Sequence, residues 1–378
     1  MVWSKALRWS CLLCAAACGS SGDAQVLYEP WIESPGPRQP AFLAFSSAYD
    51  GRGPAPLGAL DFPKRLSDTG AFADLATLEP LSGIVPYDVQ VPLWSDGAYK
   101  RRWLVLPDGA PLGYSETGHL GVPPGTIFIK HFEIAMDERS PEQRRRLETR
   151  FWVAVSDSAQ YGVSYFWNED QTDAELLFQG RTEVLSVIGS DGVARDQPYF
   201  LPGPADCQSC HNEPAGFVLG ARAAQLNRPF VYELDRPAVN QLVAWSSWGL
   251  LDTRFDDELA ALAPQLAPLG DESRDVGDRV RSYWDGNCAM CHAGDAGSVA
   301  GWDARYSTAF EAQGLERAPQ NPASEATQLV VPGSPESSLI YQRGNTADAL
   351  LRMPPVGRNR IDEAYVQALG AWITSLGE

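Results

Sequence analysis

Asp275-Val276-Gly277-Asp278-Arg279-Val280-Arg281-Ser282-Tyr283-Trp284-Asp285-Gly286-Asn287-Cys288-Ala289-Met290-Cys291-His292 decides the fold of the last third of this chain. Val276, Val280, Tyr283 and Trp284 fall at helical spacing behind Asp275, so the segment reads as an amphipathic helix. Gly286-Asn287 closes it and delivers Cys288. Cysteines at i and i+3 with a His at i+4 lie on one side of a helical turn. Thiols so placed add across the two vinyl groups of a c-type haem, and the imidazole reaches the iron.

The same pattern stands at Cys207-Gln208-Ser209-Cys210-His211. Paired Cys-x-x-Cys motifs also build four-cysteine zinc sites and redox disulfides, but neither needs a His after each pair. With four His in 378 residues, two such placements arise by composition on the order of once in 10⁴. The reading is therefore two covalent c-type haems, held by Cys207, Cys210, Cys288 and Cys291, with His211 and His292 on the irons.

Downstream of the second motif, Asp362 is a candidate N-cap, with Ile361 stapled to Val366. Val366, Leu369, Ile373 and Leu376 form a buried stripe, with Trp372 beside it. Gly277 and Gly370 are places where the two helices can cross closely. Ser334-Pro335 reads as N-cap and first helical position of a short helix through Leu339, Ile340 and Tyr341. Arg352-Met353-Pro354-Pro355 breaks helix and presents a methionine on an extended loop. A lone Met is usually core filler, yet this one is among four Met in the chain and sits in a rigid loop. Met353 is the expected sixth ligand of the second haem, a pairing that raises the potential and closes the iron. Residues 271–378 are thus expected to form an all-α cytochrome c domain.

Residues 201–270 read as the first haem-binding segment with a helical linker, and 61–200 as a mainly β domain. Strands are predicted at Trp103–Leu106, Thr126–Ile134, Phe151–Val155 and Val163–Trp167. The fold class is α+β multidomain, with the N-terminal β domain carrying the first motif at its end. The first haem's sixth ligand is open. No Met or His stands between His211 and Met290, which leaves His119, His131 and Met136 upstream. On an alternating strand His131 shares a face with Ile127 and Ile129, and Lys130 shares one with Phe128 and Phe132. His131 enters as a candidate ligand; a structural strand histidine and an open iron stay alternatives. The polar segment Trp167–Asp173 reads either as a solvated turn or as a divalent-cation loop.

The chain resembles a family of bacterial dihaem c-type cytochromes of largely unassigned role. The resemblance rests on Leu66-Ser67-Asp68-Thr69-Gly70, Val85-Pro86-Tyr87-Asp88, Pro92-Leu93-Trp94-Ser95-Asp96, Trp167-Asn168-Glu169-Asp170-Gln171-Thr172, Asn240-Gln241-Leu242 and both Cys-x-x-Cys-His motifs. Comparable regions in that family occur beside, or fused to, quinone-cofactor sugar dehydrogenases, which implies an electron acceptor for a periplasmic dehydrogenase. More weakly, Gly125-Thr126-Ile127-Phe128-Ile129-Lys130 is similar to a strand of small β-barrel haem enzymes that oxidise hydroxylamine and carry an extra lysine–haem link. Lys130 is the nearest equivalent, with Lys64 and Lys100 as the other upstream lysines.

Residues 1–17 read as an export signal, with Lys5 and Arg8 ahead of the apolar run Trp9–Ala17. Ala15-Ala16-Ala17 before Cys18 suits an ordinary signal peptidase or a lipoprotein peptidase that lipidates Cys18. The first gives a periplasmic protein, the second one anchored to the membrane by lipid. Residues 18–60 then read as a tether and lead-in, and no run approaches the ~20 apolar residues of a membrane span. The formal charge is −18, and losing the signal makes it two units more negative. That balance argues against nucleic acid and favours a redox partner with a basic docking face. The sequence therefore suggests an exported dihaem electron-transfer protein. The alternative is a dihaem oxidoreductase whose first, five-coordinate haem acts on peroxide or a nitrogen compound.

Overall fold

The computed structural model describes residues 62–378, apart from 108, 117, 157–158, 214, 234–235, 295–300, 319–325, 327 and 356. The predicted signal, Cys18 and the tether lie outside the described residues. The architecture is mixed, with a mainly β N-terminal region and helices toward the C-terminus.

A small pair, β1 (Phe72–Asp74) and β2 (Glu79–Pro80), precedes an antiparallel six-stranded sheet. The sheet strands, in both chain and spatial order, are β3 (Val85–Tyr87), β4 (Tyr99–Val105), β5 (Ile127–Ala135), β6 (Arg144–Ser156), β7 (Ala159–Trp167) and β8 (Ala174–Leu177). A hairpin of β9 (Arg181–Ile188) and β10 (Ala194–Leu201) follows. All four predicted strands are present; three are longer than predicted, and the one at Ile127–Ala135 keeps its length with a shift of one residue. Burial on both faces is why β5 and the second half of β6 are nearly continuous apolar runs.

One face of the sheet carries Trp103, Ile129, Phe151, Val163 and Trp167, covered by the segment from Phe62 to Ile84. The other face is divided. Leu104, Phe128 and Trp152 pack against the helical segment that follows the first motif. Phe132, Ile134 and Leu147 pack against the β9–β10 hairpin. Between these two apolar clusters lies a polar row.

After the hairpin come short helices α1 (Pro204–Cys207) and α2 (Ala223–Leu226), then α3 (Gln241–Ser247) and α4 (Asp257–Leu262). The last part holds α5 (Val276–Asn287), α6 (Leu339–Gly344) and α7 (Glu363–Ser375). Asp275 caps α5 as predicted, accepting from Gly277 N at 2.8 Å, and Asp362 caps α7 through Tyr365 N at 3.3 Å. Such caps are worth about 1 kcal/mol each.

Ser334-Pro335 behaves differently from the prediction. Pro335–Ser337 is a separate 3₁₀ turn, and α6 starts afresh after Ser338. A Cβ on Gly277 would stand 2.7 Å from Trp372 Nε1, so this glycine lets α5 and α7 approach, whereas Gly370 faces Tyr341 of α6. Long irregular segments join the three helices.

The sheet region and the C-terminal helices are tied directly. Asp96, 1% exposed, accepts from Asn359 N at 2.6 Å and Arg360 N at 2.8 Å. Trp94 N donates to Asn287 Oδ1 at 2.7 Å.

Candidate functional site

Both motifs fold as the same turn. His211 N donates to Cys207 O and His292 N to Cys288 O, each at 2.9 Å, and each second cysteine amide also bonds back to its first. The first turn is prepared by Gly203-Pro204, with Gly203 N donating to Asp206 Oδ2 at 2.9 Å. Gly162 of β7 makes room for it, since a Cβ there would meet Cys207 Sγ at 2.8 Å. The second turn continues α5 directly, Cys288 N donating to Trp284 O at 2.7 Å.

The two turns open on one cavity of about 1110 Å³, beyond the ~300–1,000 Å³ common for a single small-molecule pocket. All four cysteines, both histidines and Met353 line it. The four cysteines are free thiols. Burial pushes Cys207 up to about 11 and Cys288 up to about 12, so neither is an activated nucleophile. Burial also raises Cys291, and the neighbouring Cys210 thiol adds to it. Among the described residues no three His, Cys, Asp or Glu side chains converge as a metal cluster.

The histidines suit an iron. His211 Nδ1 stands 2.7 Å from Phe217 O, a contact that places the proton on Nδ1 and leaves Nε2 as the bare donor. Its ring packs 4.1 Å from Trp152. Burial pushes it down to about 3, aided by Lys130 and Arg150 and opposed by the Phe217 carbonyl. His292 packs 4.9 Å from Trp302, and burial with Arg343 pushes it down to about 4. Both imidazoles are neutral at physiological pH, as ligation requires.

Met353 is held by its backbone. Its N donates to Arg343 O at 3.0 Å. Arg358, 4% exposed, donates to Met353 O, to Gly344 O at 2.7 Å and to Thr346 O at 2.9 Å. One guanidinium thus pins the end of α6 to the methionine loop. Nothing in the local sequence around Arg358 marked it for this task.

The upstream candidates for the first iron do not reach the cavity. His131 points to the sheet's opposite face, where Nδ1 meets Thr149 Oγ1 at 2.8 Å and the ring stands edge-on to Trp167. Burial pushes it down to about 3. Met136 packs with the hairpin cluster, and His119 is exposed beside Gly216. The cavity is lined instead by Lys130, Arg150, Tyr199 and Met290. Of the other lysines, Lys64 lies over Phe178 and Lys100 lines a separate cavity of about 530 Å³.

The polar loop after Trp167 spends its groups on itself. Asn168 Oδ1 accepts from Thr172 N at 3.0 Å, and Asp173 accepts from Ser67 N and Oγ. That is turn chemistry, and it ties β8 to the segment before β1. No family model, curated protein or solved structure matches the chain.

Proposed function

We propose that this chain is an exported dihaem c-type cytochrome that moves electrons between a donor such as a periplasmic dehydrogenase and a respiratory partner. The observation that carries it is the shared cavity, with two identical Cys-x-x-Cys-His turns and Met353 on its wall. Cys207 and Cys210 would hold one haem and Cys288 and Cys291 the other, with His211 and His292 as proximal ligands. When bound, each haem supplies one-electron chemistry at potentials tuned by its axial ligands and burial. The chain's own residues exclude water and fix the imidazole tautomer, and Met353 is the partner for the second iron. On this reading residues 271–378 act as a cytochrome c module, and Cys18 is the site of a lipid anchor.

A second reading is favoured by one observation. The walls near His211 carry Lys130, Arg150 and Tyr199, while His119, His131 and Met136 lie elsewhere. That setting suits an open first iron acting on a small molecule, with the second haem as relay.

Protein produced with c-type haem maturation tests both. The mass of the denatured chain should exceed the polypeptide mass by two haems; no added mass defeats the proposal. Optical and EPR spectra with cyanide or carbon monoxide then separate the readings. Two low-spin haems indifferent to ligand support the carrier, and a high-spin haem that binds ligand supports the oxidoreductase.

A further inference from the structure

The register of the sheet sets three cations in a line. Arg102 of β4 is directly opposite Lys130 of β5, and Lys130 is directly opposite Arg150 of β6. Like charges opposite one another in a sheet are destabilising, so such a row calls for anions.

Two are supplied by the chain. Asp88 meets Arg102 at 2.6 Å, though it also serves Arg228 at 2.8 Å. Glu148, wholly buried, accepts from Arg150 Nε at 2.7 Å and from Tyr199 Oη at 3.1 Å. The central amine has none in contact, and Glu148 acts on it only from Arg150's side of the row. Among the described residues Lys130 Nζ makes no hydrogen bond or ion pair, and its charted neighbour is the Phe132 ring at 5.4 Å. Burial, with Arg102, Lys100 and Arg150 around it, holds the amine well below its usual range.

Lys130 and Arg150 face the cavity. The next row along the strands, about 7 Å away, is Phe128 opposite Trp152, on which His211 packs. The cationic row therefore lies beside the first motif, between two apolar clusters, in a protein of net charge −18.

We infer that Lys130, flanked by Arg102 and Arg150, is the seat of a carboxylate inside the cavity, one row from His211. A carboxylate there completes the charge balance of the row and accepts from Lys130 and Arg150 by charge-assisted hydrogen bonds. Two sources share this chemistry: a propionate of a haem held at the first motif, and a free small carboxylate. The first source rests on the haem reading and the second does not.

The test uses the full-length protein, and haem content is read first by mass. With haem bound, wild type is compared with Lys130→Gln and Lys130→Arg. If a propionate occupies the seat, sodium acetate leaves the wild-type spectrum unchanged. Lys130→Gln then lowers the first haem's midpoint potential alone, and Lys130→Arg restores it. If the occupant is free, acetate gives a saturable change in the first haem's spectrum, weakened tenfold or more by Lys130→Gln and not by Lys130→Arg.

A variant that alters neither the potential nor the acetate response overturns the inference. So does loss of a low-spin nitrogen-ligated spectrum on replacing Lys130 with either residue, which would make the amine an iron ligand. If the chain proves to carry no haem, the functional proposal fails by itself. Calorimetry with acetate on that chain still decides the seat: saturable heat lost in Lys130→Gln supports it, and no saturable heat sinks it. Lys130→Met replaces Lys130→Gln should that variant not fold.

Discussion

From Cys207 to His211 and from Cys288 to His292 the chain makes one turn twice, with matching hydrogen bonds, and sets each in different surroundings. The first hangs beside a rigid sheet, against Trp152 and a row of cations. The second ends a twelve-residue helix whose Trp284 and Tyr283 pack on Trp372 and Tyr365 of α7, and Met353 lines the cavity with it. The local turn is therefore separable from the surroundings in which the chain sets it. A wall that carries the Met353 thioether suits closed-shell electron transfer, while one that carries Lys130 and Arg150 suits anions and small polar molecules.

The largest expected effect comes from removing one pair of thiols at a time. Cys207→Ala/Cys210→Ala and Cys288→Ala/Cys291→Ala should each lower the mass by one haem. Their stability costs should differ. The sheet keeps a core on the face away from the cavity, around Trp103, Val163 and Trp167. The C-terminal core instead borders the cavity through Trp302, Leu329 and Leu339. Thermal unfolding should fall much further for the second pair. Equal falls would break the contrast between a self-sufficient sheet and a helical region built on its cofactor.

Arg358→Gln is the next strongest. It removes the guanidinium from five backbone carbonyls that are buried or part-buried, which costs about 3 kcal/mol or more. Its distinguishing readout is spectroscopic. The second haem should lose Met353 ligation and bind carbon monoxide, matching Met353→Ala, while the first haem is unchanged. Retained ligation with only a lower melting temperature would make Arg358 a support for the fold and nothing more. Arg358→Lys, which keeps the charge but not the fork, should recover part of the ligation.

Much of this was readable from residue order because the deciding interactions are local. Asp275 and Asp362 cap helices from one residue before them, the Cys-x-x-Cys-His turns close within five residues, and strand alternation separated His131 from Lys130. Parity could not say which face of the sheet meets the cavity. That depends on where the first motif docks, and it is why His131 was the attractive ligand and Lys130 the residue actually facing the site. β9 and β10 carry no clear apolar signal, because half of β9 is exposed and β10 starts with the exposed Ala194-Arg195-Asp196. β6 was predicted short because it begins Arg144-Arg145-Arg146, with Arg146 donating to Leu75 O at 2.8 Å. Asp96 reaches Asn359 across the whole chain, and no periodicity marks such a pair. Ser67 to Asp173, Asp88 to Gln241 and Trp94 to Asn287 are ties of the same kind.

The smallest effect concerns the neighbouring amine. Lys100 lies near the same Phe132 ring as Lys130, but it donates to Ala98 O at 3.1 Å and borders the smaller cavity. Burial, with Arg102 and Arg150 nearby, pushes it down to about 7. In the unfolded chain the same amine holds its proton to about 10.4. Between those values the unfolded state binds more protons, so stability rises with pH across the window and the penalty is fully present below it. Lys100→Met should remove that slope, raising the melting temperature by a few degrees at pH 6.5 and by less at pH 10, on the scale of ~2–4 °C per kcal/mol. The first haem's potential should not follow. A shift there as large as that from Lys130→Gln would mean that the positive charge beside His211 is spread over the whole sheet face rather than seated at Lys130.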